Sequence, residues 1–243
     1  MKKYLIDLHV HTVLSPCADL LMTPGNILKK AVKEKIDIMA ITDHNSGENL
    51  KVIMKMAENT PVKIIPGMEV ETREEVHLLC LFPDLNKLFK WQNIVYEALP
   101  DKINQEDIFG PQIIVDEKDN YKAKLDKLLA TAIDIRIEKV FEQVKALGGW
   151  VIPAHIDKTN GLIKNLGLIP ENINIEVMEV FYKSDIKNII NKYPFLANKS
   201  LIKNSDCHYL KELKPRMKLE LKSNHFHEIR KALTDRKEKI FLL

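Results

Sequence analysis

Short apolar runs alternate along the chain with longer stretches whose apolar residues recur every three or four positions. YLIDL (4–8) precedes TPGNILKKAVKEK (23–35), and IDIMAIT (36–42) precedes SGENLKVIMKMAEN (46–59). VKIIPGMEV (62–70) and EEVHLLCLF (74–82) lead into a helix-like stretch from Leu85. Later, IRIEKVFEQVKALG (135–148) precedes GWVIPAHI, NINIEVMEVFY precedes SDIKNIINKY, and SLIKNSDCH comes before the closing MKLELKSNHFHEIRKAL. Repeated strand-then-helix order predicts βα units on a parallel sheet or barrel, an α/β fold. Two helix starts are signalled: Thr23 as an N-cap with Pro24 in the first turn, and Asn45 with Glu48 at capping-box spacing.

The stretch from about 83 to 131 breaks this rhythm. NQEDIFGPQIIVDEKDNYKAKLD mixes acids and lysines, with FGPQ as a turn, and reads as an insertion on the scaffold. Residues 1–243 are therefore expected to form one domain carrying an insertion at about 83–131. No internal repeat and no low-complexity tract is evident.

Composition narrows the function classes. A chain of 243 residues, 45% hydrophobic, is long enough for one substantial core. Its formal charge is +3, with no block of five or six like charges, so no electrostatic footprint for duplex nucleic acid stands out. There is also no interleaved basic and aromatic stretch of the kind that tracks a long single strand. Cys17, Cys80 and Cys207 cannot all pair and show no CxxC spacing; they read as small buried hydrophobes in a reducing compartment. Asp7 and His9 interrupt the first apolar run before a signal-peptide core forms, and no stretch approaches a membrane span. A cytoplasmic protein without a membrane partner is expected; the oligomeric state is open.

The polar residues that interrupt the strand ends are of few kinds. They are His9 and His11; Asp43 and His44 in TDH; Glu69 in PGMEVET; His77 in EVHLLCLF; His155 in IPAHID; and Asp206 and His208 in NSDCHY. Period-two alternation puts His9 and His11 on one side of a strand, and likewise Asp206 and His208. In a parallel barrel the C-terminal strand ends open on one face, so these side chains would converge there. A single histidine in an apolar strand is ordinarily a hydrogen-bonded core residue. Six at strand ends, with HxH and DxH pairs, point to a metal centre. Asp43 reads as a carboxylate that orients a ligand histidine. Glu71 and Asp157 read equally as site or solvated loop acids, and His225 and His227 as surface or packing residues.

DLHVHT, ITDHN, PGMEVE followed by HLLCLF, PAHID and NSDCH together resemble the PHP (polymerase and histidinol phosphatase) domain, in the order and spacing in which that family carries its motifs. The match runs from Ile6 to about Tyr209. The resemblance implies a distorted (β/α)7 barrel with two to three divalent ions at the C-terminal face. It implies that His9 and His11 bind one ion with Glu69 and Asp206, that Glu69 bridges to a second held by His77 and His155, and that His44 and His208 hold a third. The loop after HxH lacks the histidine many PHP phosphatases carry. Asp19, four residues before Thr23, is assigned as the remaining ligand, with Cys17 as its competitor.

Six imidazoles and three carboxylates suit Mn, Fe or Zn without choosing among them. Two ions sharing a carboxylate trap a water and lower its pKa, which makes phosphoester hydrolysis by a metal-bridging hydroxide the natural reaction. No GxSxG or P-loop competes with it. Lys158, Arg73 and Arg136 are the candidate phosphate-holding cations. A phosphatase acting on a small phosphomonoester is the first expectation; the alternatives are a nuclease working on short or single-stranded nucleic-acid ends and a non-catalytic metal-binding module.

Overall fold

The structure is a computed structural model and describes residues 1–235 and 240–243. In chain order it comprises β1 (Lys2–Val10), α1 (Pro24–Lys33), β2 (Ile38–Ile41), α2 (Leu50–Ala57), β3 (Lys63–Glu71), β4 (His77–Leu81), α3 (Leu85–Ala98) and α4 (Glu106–Phe109). There follow β5 (Ile113–Val115), β6 (Tyr121–Lys124), α5 (Ile137–Ala146), β7 (Trp150–Pro153), α6 (Leu162–Leu166), β8 (Val177–Glu179), α7 (Ile186–Lys192), β9 (Ser200–Ile202), β10 (Met217–Leu221), α8 (Phe226–Thr234) and β11 (Ile240–Leu242). None of the described helices is long and apolar enough to cross a membrane.

One curled sheet runs β11-β10-β1-β2-β3-β4-β7, and β8 and β9 form a parallel pair. Single links close the ring. Ile156 N–H donates to the Glu179 carbonyl, joining the end of β7 to β8, while Leu8 N–H donates to Asn204 Oδ1 and His11 N–H to the Cys207 carbonyl, joining β1 to the chain after β9. The wall of this distorted seven-stranded α/β barrel is thus β1, β2, β3, β4, β7, β8 and β9.

The barrel is not all parallel. β4 pairs antiparallel with both β3 and β7. Only residues 72–76 separate β3 from β4, far short of the dozen or more residues a parallel crossover requires. Reversal carries the first residue of β4, His77, to the face where the other strands end.

Two cores hold the layers together. Ile6, Leu8, Ile38, Ala40, Ile65, Leu79, Ile152 and Val177 fill the barrel, and α8 lays Phe226, Ile229 and Leu233 against them. Met39, Ile41, Met68, Val70, Leu78 and Cys80 face outward onto Ile27, Ile53, Trp91 and Val140 of the helices. Leu8 and Val10 sit two apart yet belong to opposite cores. The β1–β2 register shifts between Asp7 and Val10, so an extra residue inverts the alternation there and turns His9 into the barrel.

The helix starts divide. Thr23 Oγ1 accepts from Asn26 N–H with Pro24 in the first turn of α1. Asn45 does not cap α2. Its backbone is left-handed (φ 48°), its amide donates to the Leu129 and Thr131 carbonyls, and Glu48 accepts from Gln92, so α2 begins only at Leu50. Tertiary partners outbid the local cap.

Within 83–131, α3 buries Leu88, Trp91 and Val95 against the barrel. The β5–β6 hairpin beyond it is tied down at both ends. Ile113 N–H donates to the Val13 carbonyl and Asn49 donates to the Ile113 carbonyl, while Asp119 accepts from Thr23 Oγ1 and Gly25 N–H. Gly110, in the FGPQ turn, has φ 94°, and a Cβ there would lie 2.0 Å from the Pro16 carbonyl oxygen, so the segment presses directly on the loop after β1.

Candidate metal centre

Strand ends and the loops after them bring six imidazoles and two carboxylates together. His9 and His11 come from the end of β1, His44 from the loop after β2, Glu69 from β3, His77 from the start of β4 and His155 from the loop after β7. Asp206 and His208 lie beyond β9, on a loop rather than a strand, with Cys207 between them bridged to Val10 of β1. Alternation therefore does not align that pair. A left-handed backbone at Asp206 (φ 51°) does, and His208 stacks on His11 with ring centroids 4.2 Å apart.

Glu69 is the hub. One of its oxygens lies 3.3 Å from His9 Nε2, 3.0 Å from His77 Nδ1 and 3.2 Å from His155 Nε2; the other lies 3.3 Å from His11 Nε2 and 3.2 Å from His44 Nδ1. Asp206 Oδ1 is 3.4 Å from His9 Nε2 and 3.6 Å from His11 Nε2. Three sets of ligand atoms are close enough to share an ion: His9, His11 and Asp206; His44, Glu69 and His77; and His11, His44 and His208.

The proton inventory is what would let this cluster hold a cation. His9 Nδ1 is 3.0 Å from a Glu179 oxygen, which can only accept, so Nδ1 carries the ring proton. His11 Nδ1 is 3.0 Å from Ser15 Oγ, whose one hydroxyl proton goes to Asp43 at 2.7 Å; His11 Nδ1 therefore also donates. In the neutral rings both Nε2 atoms are then bare lone pairs, 3.1 Å apart and facing carboxylate oxygens. Acceptors at such spacing repel unless positive charge lies among them. The donor set of nitrogen and oxygen fits a divalent first-row metal.

Electrostatics run the same way. Burial opposes charging His9, but Glu179, Glu69 and Asp206 raise its pKa well above the usual 6.5. His11 and His77 are raised by their carboxylate neighbours, again against burial. Burial would lift Glu69 and Asp206, yet the surrounding histidines hold both well below the ordinary carboxylate range. Burial instead wins at His44, which is pushed well down, and at His208, lowered to about 4.

Several residues that place these groups are silent in the sequence. Glu179 is buried at the end of β8 and also accepts from Asn204. Its one signal is an acid interrupting the apolar run IEVMEVF. Ser15 links His11 to Asp43, which in turn accepts from the Thr12 amide at 2.6 Å and its hydroxyl at 2.8 Å. Asn160 (φ 62°) stands 3.3 Å from His77 Nε2 and donates to Glu71. His155 itself has φ 27°. Left-handed backbone at residues other than glycine costs about 1–3 kcal/mol each and concentrates where function requires it.

The remaining expected residues divide. Asp19 N–H donates to the His208 carbonyl, but its carboxylate accepts from Leu21 N–H. Cys17 is exposed, unlike the buried Cys80 and Cys207. Lys158 reaches the cluster, donating to Asp206 Oδ2 at 2.8 Å. Arg73 and Arg136 are not brought to it: Arg73 pairs with Asp134, and Arg136 with Glu74 and Glu138, all on the surface beside α5. The short turn that reverses β4 points Arg73 toward Asp134. Asp157 holds the loop after β8, accepting from Phe181 N–H, and His225 and His227 are exposed at α8.

A family model for the PHP domain matches residues 7–237. The 5′-3′ exoribonuclease Rnm of Salmonella typhimurium is 31% identical over 84 residues, 32% of this chain and 28% of that protein. Among solved structures, the lesion-specific endonuclease Q of Pyrococcus furiosus superposes with a TM-score of 0.74 at 19% identity over 98% of this chain and 58% of its own. A two-domain protein of Bacteroides vulgatus containing a predicted PHP-like metal-dependent phosphoesterase gives 0.58 at 17% identity, covering 99% of this chain and 65% of that one. The chain thus spans less than a third of the exoribonuclease and little over half of the endonuclease.

Proposed function

The chain belongs to the PHP domain family, and from that premise we propose that it hydrolyses a phosphoester at the histidine cluster, first of all a small phosphomonoester. The observation that carries this is the convergence of His9 Nε2, His11 Nε2, Glu69 and Asp206, all acceptors once the two rings are neutral. His9, His11, Asp19, His44, Glu69, His77, His155, Asp206 and His208 are the proposed ligands of two to three ions, Mn, Fe or Zn. Divalent ions held by these residues would supply positive charge against phosphoryl oxygens and acidify a water near neutral pH.

The chain's own groups do the rest. Glu179 and Ser15 keep the protons of His9 and His11 on Nδ1, so that both Nε2 atoms present lone pairs. The Lys158 ammonium, beside Asp206, neutralises a non-bridging phosphoryl oxygen. The water oxygen bonds to phosphorus as the ester P–O bond breaks, and the proton the water gives up ends on the departing oxygen, so that an alcohol leaves and inorganic phosphate remains. Residues 1–243 act as one domain in this reading, with the hairpin of the 83–131 segment supporting the loop after β1. A second reading, a substrate bearing a nucleotide, is favoured by the ring and cation row described next.

Elemental analysis of protein purified without chelator, paired with phosphate release from a panel of monoesters under Mn, Fe and Zn, tests the proposal. Two or three ions per chain with turnover that disappears in His9→Ala and Asp206→Ala supports it. Full metal occupancy without turnover of any ester would leave a metal-binding module, and unchanged turnover in either variant would refute the ligand assignment.

A further inference from the structure

A row of alternating cations and aromatic rings starts at the cluster and leads away from it. Lys158, bonded to Asp206, has its Nζ 4.9 Å from the Phe181 ring centroid. Phe181 meets Tyr182 at 4.7 Å with the ring planes 61° apart. The Lys183 ammonium lies 5.3 Å from the Tyr182 centroid and 6.0 Å from that of Phe181. Arg216 covers Tyr182 at 4.4 Å, and its Nε is buried without a hydrogen-bond partner among the described residues. Three separate segments supply these groups: the loop after β7, the loop after β8 and the residue before β10. The arrangement is built rather than draped, because Asp157 accepts from Phe181 N–H at 2.8 Å and from the Ser184 hydroxyl, fixing the loop that carries both rings.

We propose that this row is a subsite for the part of the substrate beyond the scissile phosphoryl group, and that this part is a nucleotide. The inference rests on the phosphoesterase reading above. A plain alcohol would use neither rings nor cations, and a second phosphate alone would leave the rings idle. A nucleotide engages both: its phosphate meets Lys183 and Arg216, and its base lies against Tyr182 and Phe181. Ring faces take any base, and among the described residues Lys183 and Arg216 lie over rings with no carboxylate in ion-pair reach, unlike Lys158, which Asp206 engages. Short single-stranded oligonucleotides carry both groups beyond the scissile phosphate, whereas a nucleoside monophosphate, whose one phosphate is the scissile one, brings only the base.

The test uses the metal-loaded full chain. kcat/KM is measured on glycerol phosphate, on a nucleoside 5′-monophosphate and on a 5′-phosphorylated trinucleotide, for wild type, Tyr182→Leu, Tyr182→Phe and Arg216→Gln. Tyr182→Leu is expected to lose roughly tenfold or more on base-bearing substrates, the scale of one stacked base, with glycerol phosphate unchanged within about twofold and Tyr182→Phe close to wild type. Arg216→Gln is expected to lower the trinucleotide value and flatten its salt dependence by about 0.7 in the log–log slope. Equal losses on glycerol phosphate and trinucleotide, or no loss on the trinucleotide, would overturn the subsite. Anisotropy of a fluorescein-labelled trinucleotide separates this from failure of the phosphoesterase reading. Weakened binding in Tyr182→Leu and Arg216→Gln supports the subsite even where wild type releases no phosphate, and unaltered binding in both overturns it.

Discussion

Glu179→Gln removes one negative charge from beneath His9 while keeping the side chain's shape. Its two oxygens lie 3.1 and 3.0 Å from His9 Nδ1, and one of them also accepts from Asn204 Nδ2 at 3.1 Å. The oxygen that accepts from Asn204 is also the one 3.0 Å from His9 Nδ1, so a glutamine oxygen there serves both donors and the new NH₂ lies 3.1 Å from His9 Nδ1–H, donor against donor. Turning the amide over is worse, because its NH₂ would then face Asn204 as well, whose own Oδ1 holds Leu8 N–H at 2.8 Å. One buried donor left unmatched costs about 1–3 kcal/mol of folding stability. Removing a carboxylate behind a ligand imidazole typically weakens metal affinity about 10- to 100-fold, or ~1.4–2.7 kcal/mol. The assay is titration of chelator-treated protein with Zn or Mn against a competing indicator, with urea unfolding in parallel. A Glu179→Gln chain that stays folded and binds metal within about twofold of wild type, while His9→Ala does not, would refute the idea that Glu179 sets the His9 lone pair.

Further outcomes follow from the same contacts. Because carboxylates raise His9 above 6.5 in the metal-free chain and an ion requires its neutral Nε2, metal loading at pH 7 should release protons and affinity should fall as pH falls; calorimetry in two buffers of different ionisation enthalpy would detect this, and zero release would contradict it. His208 has a folded pKa of about 4 against 6.5 unfolded. The unfolded chain therefore binds more protons between those values, and the His208 contribution to metal-free stability is intact above pH 6.5 and declines toward pH 4, by up to about 3 kcal/mol. Urea midpoints of wild type and His208→Asn should converge in this way as pH drops. Asp119→Ala removes acceptors from Thr23 Oγ1 and Gly25 N–H and should cost about 1–2 kcal/mol, measurable by thermal unfolding. Asp19→Ala should lose at most one ion per chain; three ions by elemental analysis would move that ligand role elsewhere.

Much of this protein is determined by local pattern. Period-two and period-3.6 apolar spacing in 4–8, 36–42, 62–70 and 149–156 and in the stretches between them specifies strands and helices, because burial of one face is decided by spacing alone. The histidines stood out because an imidazole inside an apolar strand is conspicuous wherever the strand lies, and motifs in register are enough to point to the family. Other features exist only once the ring closes. Nothing in EEVHLLCLF states that β4 runs backwards; the five-residue link after β3 and pairing on both edges decide it. The bulge that turns His9 inward depends on β2, and Asn45 abandons its cap for carbonyls more than 80 residues away. Glu179 is one acid among 34 until β8 brings it under His9. The row from Lys158 to Arg216 was invisible because its members sit in three loops. Spacing along the chain governs which face a side chain takes, while long-range pairing governs which side chains meet, and charge and hydrogen bonding act only between groups that have met.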